Sequence, residues 1–141
     1  MRRESFNGAH SELTELIIGC ALRVHGALGS GFVESVYENA LALDLARNDL
    51  AFEKQRQVTI TYLDEPVGVH RLDMLVEDTV IVELKAKDSF CDADFATVLS
   101  YLKATGKPVA LLLNFGTPEL QIKRLVNTKG HSLLRNPDSS A

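Results

Sequence analysis

RLDMLVEDTVIVELKAK, residues 71–87, sets two carboxylates and a lysine into an otherwise apolar pattern. Two runs of Val, Leu, Ile and Met flank the short turn at Glu77, Asp78 and Thr79, which predicts a β-hairpin with strands over 67–76 and 80–87. With the turn centred on Asp78, residues equidistant from it face each other, so Asp73 stands opposite Glu83. Side chains alternate along a strand, so Lys85 shares the face of Glu83, roughly 6.5 to 7 Å further on. Like charges directly opposed destabilise a sheet, and at ~5 Å with an effective dielectric of ~20 they repel by roughly 3 kcal/mol. Lys85 offsets part of this. A divalent cation between the carboxylates offsets more, because oxygen ligands at ~2.0 to 2.1 Å suit Mg²⁺. Two readings follow from the spacing: a hard-metal site, or an exposed face on which three charges are solvated, since a one-residue change in the turn would move the register.

Outward from the hairpin the period changes twice. Upstream, Val58, Ile60 and Tyr62 alternate with Gln57, Thr59 and Thr61, the pattern of a half-buried strand that the LDEPVG turn ends. Before it, SELTELIIGCALRVHGALGSG spaces Leu13, Leu16, Ile17, Cys20, Ala21, Val24 and Leu28 as one face of a helix, with Ser11 as N-cap and Gly29 and Gly31 as the stop. FVESVYENALALDLARND gives a second helix with Val33, Val36, Tyr37, Ala40, Leu41 and Leu45 on one side. Downstream, Phe95, Val98, Leu99 and Leu102 predict a third helix, capped by Asp92 and Asp94 and ended by Gly106 and Pro108. PVALLLNFG reads as a strand buried on both faces, and LQIKRLV as a final strand. A buried strand entered through a crossover helix lies parallel to a neighbour, so the expected fold is α/β, with a mixed sheet covered by helices.

The chain of 141 residues, 45% hydrophobic, is one domain's worth, expected over 8–130 with a polar tail at 131–141. Neither a signal peptide nor a membrane-length apolar run is legible, so a soluble, cytoplasmic protein with no membrane contact is expected. Cys20 and Cys91 have no ligand spacing and are expected as free thiols, Cys20 in the core. The net charge of -4 argues against a generic polyanion binder. The charge is uneven, however: Lys103, Lys107, Lys123, Arg124, Lys129 and Arg135 face only Glu119 and Asp138 in the last stretch of chain, either a phosphate-facing edge or ordinary surface lysines.

The arrangement D-x9-ELK, carried by Asp73, Glu83 and Lys85, resembles the signature of the PD-(D/E)XK nuclease superfamily. GFVESVY, with Gly31, Glu34 and Tyr37, resembles the motif of its GxxExxY family, and SYLKATGKPVALLLNFG resembles that family's next helix and strand. The resemblance covers residues 11–127. It implies a three-layer restriction-endonuclease-like core: helices around a mixed central sheet built from an antiparallel three-strand meander plus a strand after a crossover helix. It also implies a metal-dependent nuclease that hydrolyses phosphodiester bonds in DNA or RNA with Mg²⁺ or Mn²⁺. Asp73, Glu83 and Lys85 would be catalytic, and Asp73, Glu83, the Leu84 carbonyl and Glu34 would be the metal ligands. Lys85 would orient the attacking water and steady charge on the transition state. Leu72 stands in place of the superfamily's proline. Thr97 stands where the family tends to carry a glutamine four residues before the tyrosine, here Tyr101.

Each residue has a plainer role beside this one. With Gly31 as N-cap, Glu34 would close a capping box. Tyr37 and Tyr101 fit core aromatics whose hydroxyls are bonded near the site, and Arg71 fits an ion pair with a neighbouring carboxylate as well as a phosphate contact. Lys87 would meet the substrate backbone or guard a strand end. His25 and His70 read as ordinary, partly buried histidines. The alternative to a nuclease is a catalytically silent module of the same fold that binds nucleic acid or a protein partner, and Thr97 and the net acidity point that way. An unrelated hydrolase lacks a supporting His, Ser or Cys constellation. A domain this small suggests a homodimer or a larger complex on a duplex.

Overall fold

The computed structural model describes residues 10–127; the expected polar tail at 131–141 and the domain limits at 8 and 130 lie outside them. The order is α1 (Ser11–Leu28), α2 (Glu34–Arg47), β1 (Phe52–Tyr62), β2 (Glu65–Val76), β3 (Val80–Lys85), α3 (Asp92–Thr105), β4 (Val109–Asn114) and β5 (Gln121–Val126). The five strands form one sheet in sequence order, antiparallel except for the parallel pair β3 and β4. This is the mixed α/β, restriction-endonuclease-like arrangement expected of a strand that follows a crossover helix.

Alternation along the central strands separates two apolar layers. Val80, Val82 and Leu84 of β3 and Val109, Leu111 and Leu113 of β4 pack with Ile17, Cys20 and Val24 of α1 and Tyr37, Leu41 and Leu45 of α2. Ile81, Ala110 and Leu112 point the other way, onto Val98 and Leu102 of α3. Every residue of β4 is buried, as its unbroken apolar run requires. Cys20 is buried and Cys91 exposed, both as free thiols. Among the described residues no helix is long and apolar enough to cross a membrane.

Helix ends and edges depart from expectation. His10, in the left-handed region with φ 64, is the N-cap of α1, and Ser11 is already helical. The buried face of α1 includes Ile18 and His25 and leaves Leu16 52% exposed, so it is rotated from the expected one. The N-cap of α2 is Val33, not Gly31. Glu34 is therefore the first helical residue and cannot close the expected capping box; Val33 itself is exposed. In α3 the N-cap is Cys91, and Asp94 accepts its N–H at 2.9 Å, while Leu99 is exposed. Tyr62 is 61% exposed, and of the alternating residues Val58, Ile60 and Tyr62 only Val58 packs on the α3 layer.

One irregularity in β2 positions the site. Leu72 and Leu75 both lie in the α3 layer, whereas Met74 and Val76 lie in the other. Strict alternation therefore fails at Asp73. Opposite it, Gln55 of β1 takes φ 54, and the β1–β2 ladder skips that pair between Lys54–Met74 and Arg56–Leu72. The face expected to hold both Arg71 and Asp73 is broken by this step.

Candidate active site

The hairpin has the expected register at its turn, where Val76 pairs with Val80, Leu75 with Ile81 and Met74 with Val82. Its ladder then stops. β2 stays bonded to β1, and β3 stays bonded to β4 as far as Lys85 opposite Asn114, so the two strands part like a fork. Buried backbone groups in the gap need partners, and the two carboxylates provide them. Glu83 Oε1 accepts the Asp73 N–H at 2.9 Å, and Asp73 Oδ2 accepts the Leu84 N–H at 2.9 Å. The acids thus meet by crossing into the backbone of each other's strand. Glu83 is only 6% exposed. Burial, followed by the charge of Asp73, pushes its carboxyl up to about 8. The Lys85 carbonyl accepts the Phe115 N–H at 2.8 Å on the β4 side; strand alternation therefore turns the Leu84 carbonyl toward the fork.

Lys85 and the chain beyond it are held from below. The Asn114 side chain is fully buried; its oxygen accepts the Lys87 N–H at 3.0 Å and its amide donates to the Lys87 carbonyl at 3.0 Å. A Cβ on Gly116 would lie 2.3 Å from the Lys87 nitrogen, so only glycine lets these two segments touch. The Lys87 ammonium reaches Asp94 Oδ2 at 2.8 Å, and that of Lys85 stands 4.0 Å from Asp94 Oδ1. Burial pushes the Asp94 carboxyl up, but the bonds from Lys87 and the Cys91 amide outweigh it and hold it below its ordinary value.

The first turn of α2 brings more acid to the fork. Burial, and the nearby charge of Asp73, raise the carboxyl of Glu34, while Lys85 pulls it down. Glu38, one turn on, is raised by burial and again by Asp73. Its place four residues after Glu34 was the available signal, since such residues share a helix face. Tyr37 is buried, and its hydroxyl donates to the Gly29 carbonyl and accepts the Phe32 N–H at 3.1 Å. Its ring stacks on Phe115 at 4.7 Å. The tyrosine therefore ties the α1–α2 loop to the strand beside Lys85.

On the α3 side, Tyr101 is half-buried; burial, then Glu83 and Asp73, raise its hydroxyl. The His70 ring meets it edge-on at 5.4 Å. His70 is exposed rather than partly buried, and His25 is buried with Nε2 2.9 Å from the Thr117 carbonyl. Thr97 is exposed on α3, and Arg71 is exposed with no ion pair to another described residue.

Two crossed carboxylates at the mouth of a parted strand pair, with a lysine two residues on, form the constellation that the sequence motif anticipates. A family profile described as the PD-(D/E)XK nuclease superfamily matches residues 11–125. The chain belongs to the PD-(D/E)XK nuclease superfamily. It is thus a nuclease-superfamily domain, of a kind that generally uses divalent metal ions. No curated protein and no solved structure matches the chain.

The donor set of this superfamily domain fits a hard divalent cation. Asp73, Glu83 and the Leu84 carbonyl are oxygen donors, and the Glu83 carboxyl, raised first by burial and then by the charge of Asp73, is a buried acid whose ionised form a cation would stabilise. Among the described residues no three Asp, Glu, His or Cys side chains form a metal-holding group. Glu34 is in electrostatic range of Asp73 without closing such a cluster.

Proposed function

We propose that this protein is a Mg²⁺- or Mn²⁺-dependent nuclease of the GxxExxY branch, hydrolysing phosphodiester bonds in DNA or RNA. The fork carries this reading: Asp73 and Glu83 converge where β2 and β3 part, and Lys85 follows on the same strand. Asp73, Glu83 and the Leu84 carbonyl would hold the cation, with Glu34 as a further carboxylate from the helix opposite. When bound, the cation supplies Lewis acidity toward a phosphoryl oxygen and lowers the pKa of a water.

The remaining work belongs to the chain. Lys85 orients the attacking water and balances negative charge as the phosphorus gains an oxygen and the bond to the leaving oxygen breaks. Tyr37 fixes the loop that presents Glu34. Tyr101 and Thr97 flank the opening from α3, and the exposed Arg71 guanidinium is available to a phosphate.

The test is cleavage of single- and double-stranded DNA and RNA with Mn²⁺ by wild type and Lys85→Ala. Cleavage by wild type that chelator stops and the substitution removes supports the proposal. Binding without cleavage by either protein would instead identify a silent module of the same fold.

A further inference from the structure

We infer that Lys87 and Asp94 are a positioning pair that keeps the Lys85 ammonium at the carboxylate fork. The inference rests on the catalytic role proposed for Lys85. Lys85 lies two residues after Glu83 on β3, the strand that carries one arm of the fork, and its charge acts on the Glu83 and Glu34 carboxyls. The ion pair of its ammonium is with Asp94, whose side chain is 8% exposed. A carboxylate so buried has to be paired, and leaving it alone is costly.

Lys87 supplies that pairing. Asp94 Oδ2 takes the Lys87 ammonium at 2.8 Å and the Cys91 N–H at 2.9 Å, both hydrogen-bonding distances. Lys85 is left at 4.0 Å from Oδ1, beyond a hydrogen bond and at the limit of an ion pair. Were Lys87 neutral, Lys85 would be the nearest cation able to answer the buried charge, and its flexible stem would let it close the gap. It would then be withdrawn from Glu83.

The backbone at Lys87 is built to hold this geometry although β3 has already ended. Asn114 grips both its N–H and its carbonyl, and Gly116 packs against it. The Asn114 amide also donates to Gln121 at 2.9 Å, so the grip is itself fixed from β5. These contacts aim the Lys87 side chain across to the N-terminus of α3. A lysine that only guarded a strand end or met a phosphate would need no such aim.

The experiment uses the full chain and limited acylation at one fixed pH with a small N-hydroxysuccinimide acetate, each lysine followed by mass spectrometry. In wild type Lys85 labels faster than Lys87. Lys87→Met slows Lys85 labelling about fivefold, as expected when a loose pair becomes a close, charge-assisted one. Adding Asp94→Asn, whose amide oxygen still accepts the Cys91 N–H, restores the rate, and Lys87→Arg keeps it at the wild-type value. Unchanged Lys85 labelling in Lys87→Met overturns the inference.

A cleavage arm gives a second readout. Lys87→Met lowers kcat about tenfold with KM little moved, and the double variant recovers. A loss that persists in the double variant assigns Lys87 to direct phosphate contact and also overturns the inference. If wild type cleaves none of the four nucleic acids, the nuclease proposal fails, and the labelling alone still decides whether Lys87 and Asp94 position Lys85.

Discussion

The two ends of the β2–β3 pair are built on opposite principles. At the turn end, Met74, Leu75 and Val76 face Val82, Ile81 and Val80 in a regular ladder whose side chains are fully buried in the two layers. At the fork end the ladder is absent, and side-chain carboxylates hold the backbone N–H groups that a strand would otherwise hold. The first end gains from apolar burial, which is indifferent to pH and metal. The second end crowds two acids together, and its stability depends on what neutralises them. The sheet is thus opened at the proposed site and closed where apolar packing alone holds it.

The sharpest way to break this division is to remove charge at the fork and look for a functional loss without a structural one. Lys85→Ala should lower metal-dependent cleavage by about 10³-fold or more, while its melting temperature stays close to wild type, because the lysine is partly exposed and makes no short contact. Equal losses of activity and stability would mean that Lys85 serves the fold.

The converse substitution belongs to the turn end. Ile81→Ala removes a fully buried side chain from the α3 layer and should cost about 2 to 4 kcal/mol in chemical denaturation. The thermal shift produced by Mn²⁺ should be the same as in wild type. A diminished shift would show that the two ends are not independent.

A further effect comes from pH. The Glu83 carboxyl in the fold is raised to about 8, so between its ordinary value and that one the folded chain binds more protons than the unfolded chain. Its contribution to stability is therefore complete below about pH 4.5 and is lost as pH rises toward about 8. Melting curves in chelator should fall over this window. Glu83→Gln should flatten the fall, and a slope identical to wild type would exclude Glu83 as its source. Excess Mn²⁺ should oppose the fall, because a cation that needs the ionised carboxylate competes with the proton.

Much of this was legible in the residues. The apolar run of β4 announced a central parallel strand, and the turn at Asp78 fixed the register that brings Asp73 and Glu83 together. The strand opening was not legible, because alternation assumes a continuous ladder, and nothing local to Asp73 declares that its carboxylate will replace a backbone acceptor. Helix ends failed for a related reason. Ser11 and Gly31 have the right chemistry for caps, but the N-caps are His10 and Val33, neither of which makes a side-chain cap bond. Asp94 was legible as a cap and not as the counter-ion of two lysines, since that role depends on where α3 crosses the sheet. Asn114 left a signal, a lone amide closing an otherwise apolar strand.

The smallest predicted effect is the most diagnostic. Asp73→Asn keeps the shape of the side chain, and its amide oxygen can still accept the Leu84 N–H that Asp73 Oδ2 accepts now. The substitution removes one of two crowded negative charges, and the new N–H₂ group can donate to Glu83. In chelator above about pH 8, where Glu83 is ionised as well, the variant should therefore melt higher than wild type, by about 1 kcal/mol once the bare repulsion is screened. In excess Mn²⁺ the order should reverse, because an amide is a poorer ligand for a hard cation and the variant forgoes stabilisation that wild type gains by mass action. Substitution at the turn end cannot produce such a crossing, since apolar packing does not respond to metal. The measurement is one pair of melting curves for each protein, in chelator and in excess Mn²⁺. Parallel shifts in the two proteins, or no shift in either, would mean that Asp73 and Glu83 do not share a cation and that the fork is only a structural device for closing a parted strand pair.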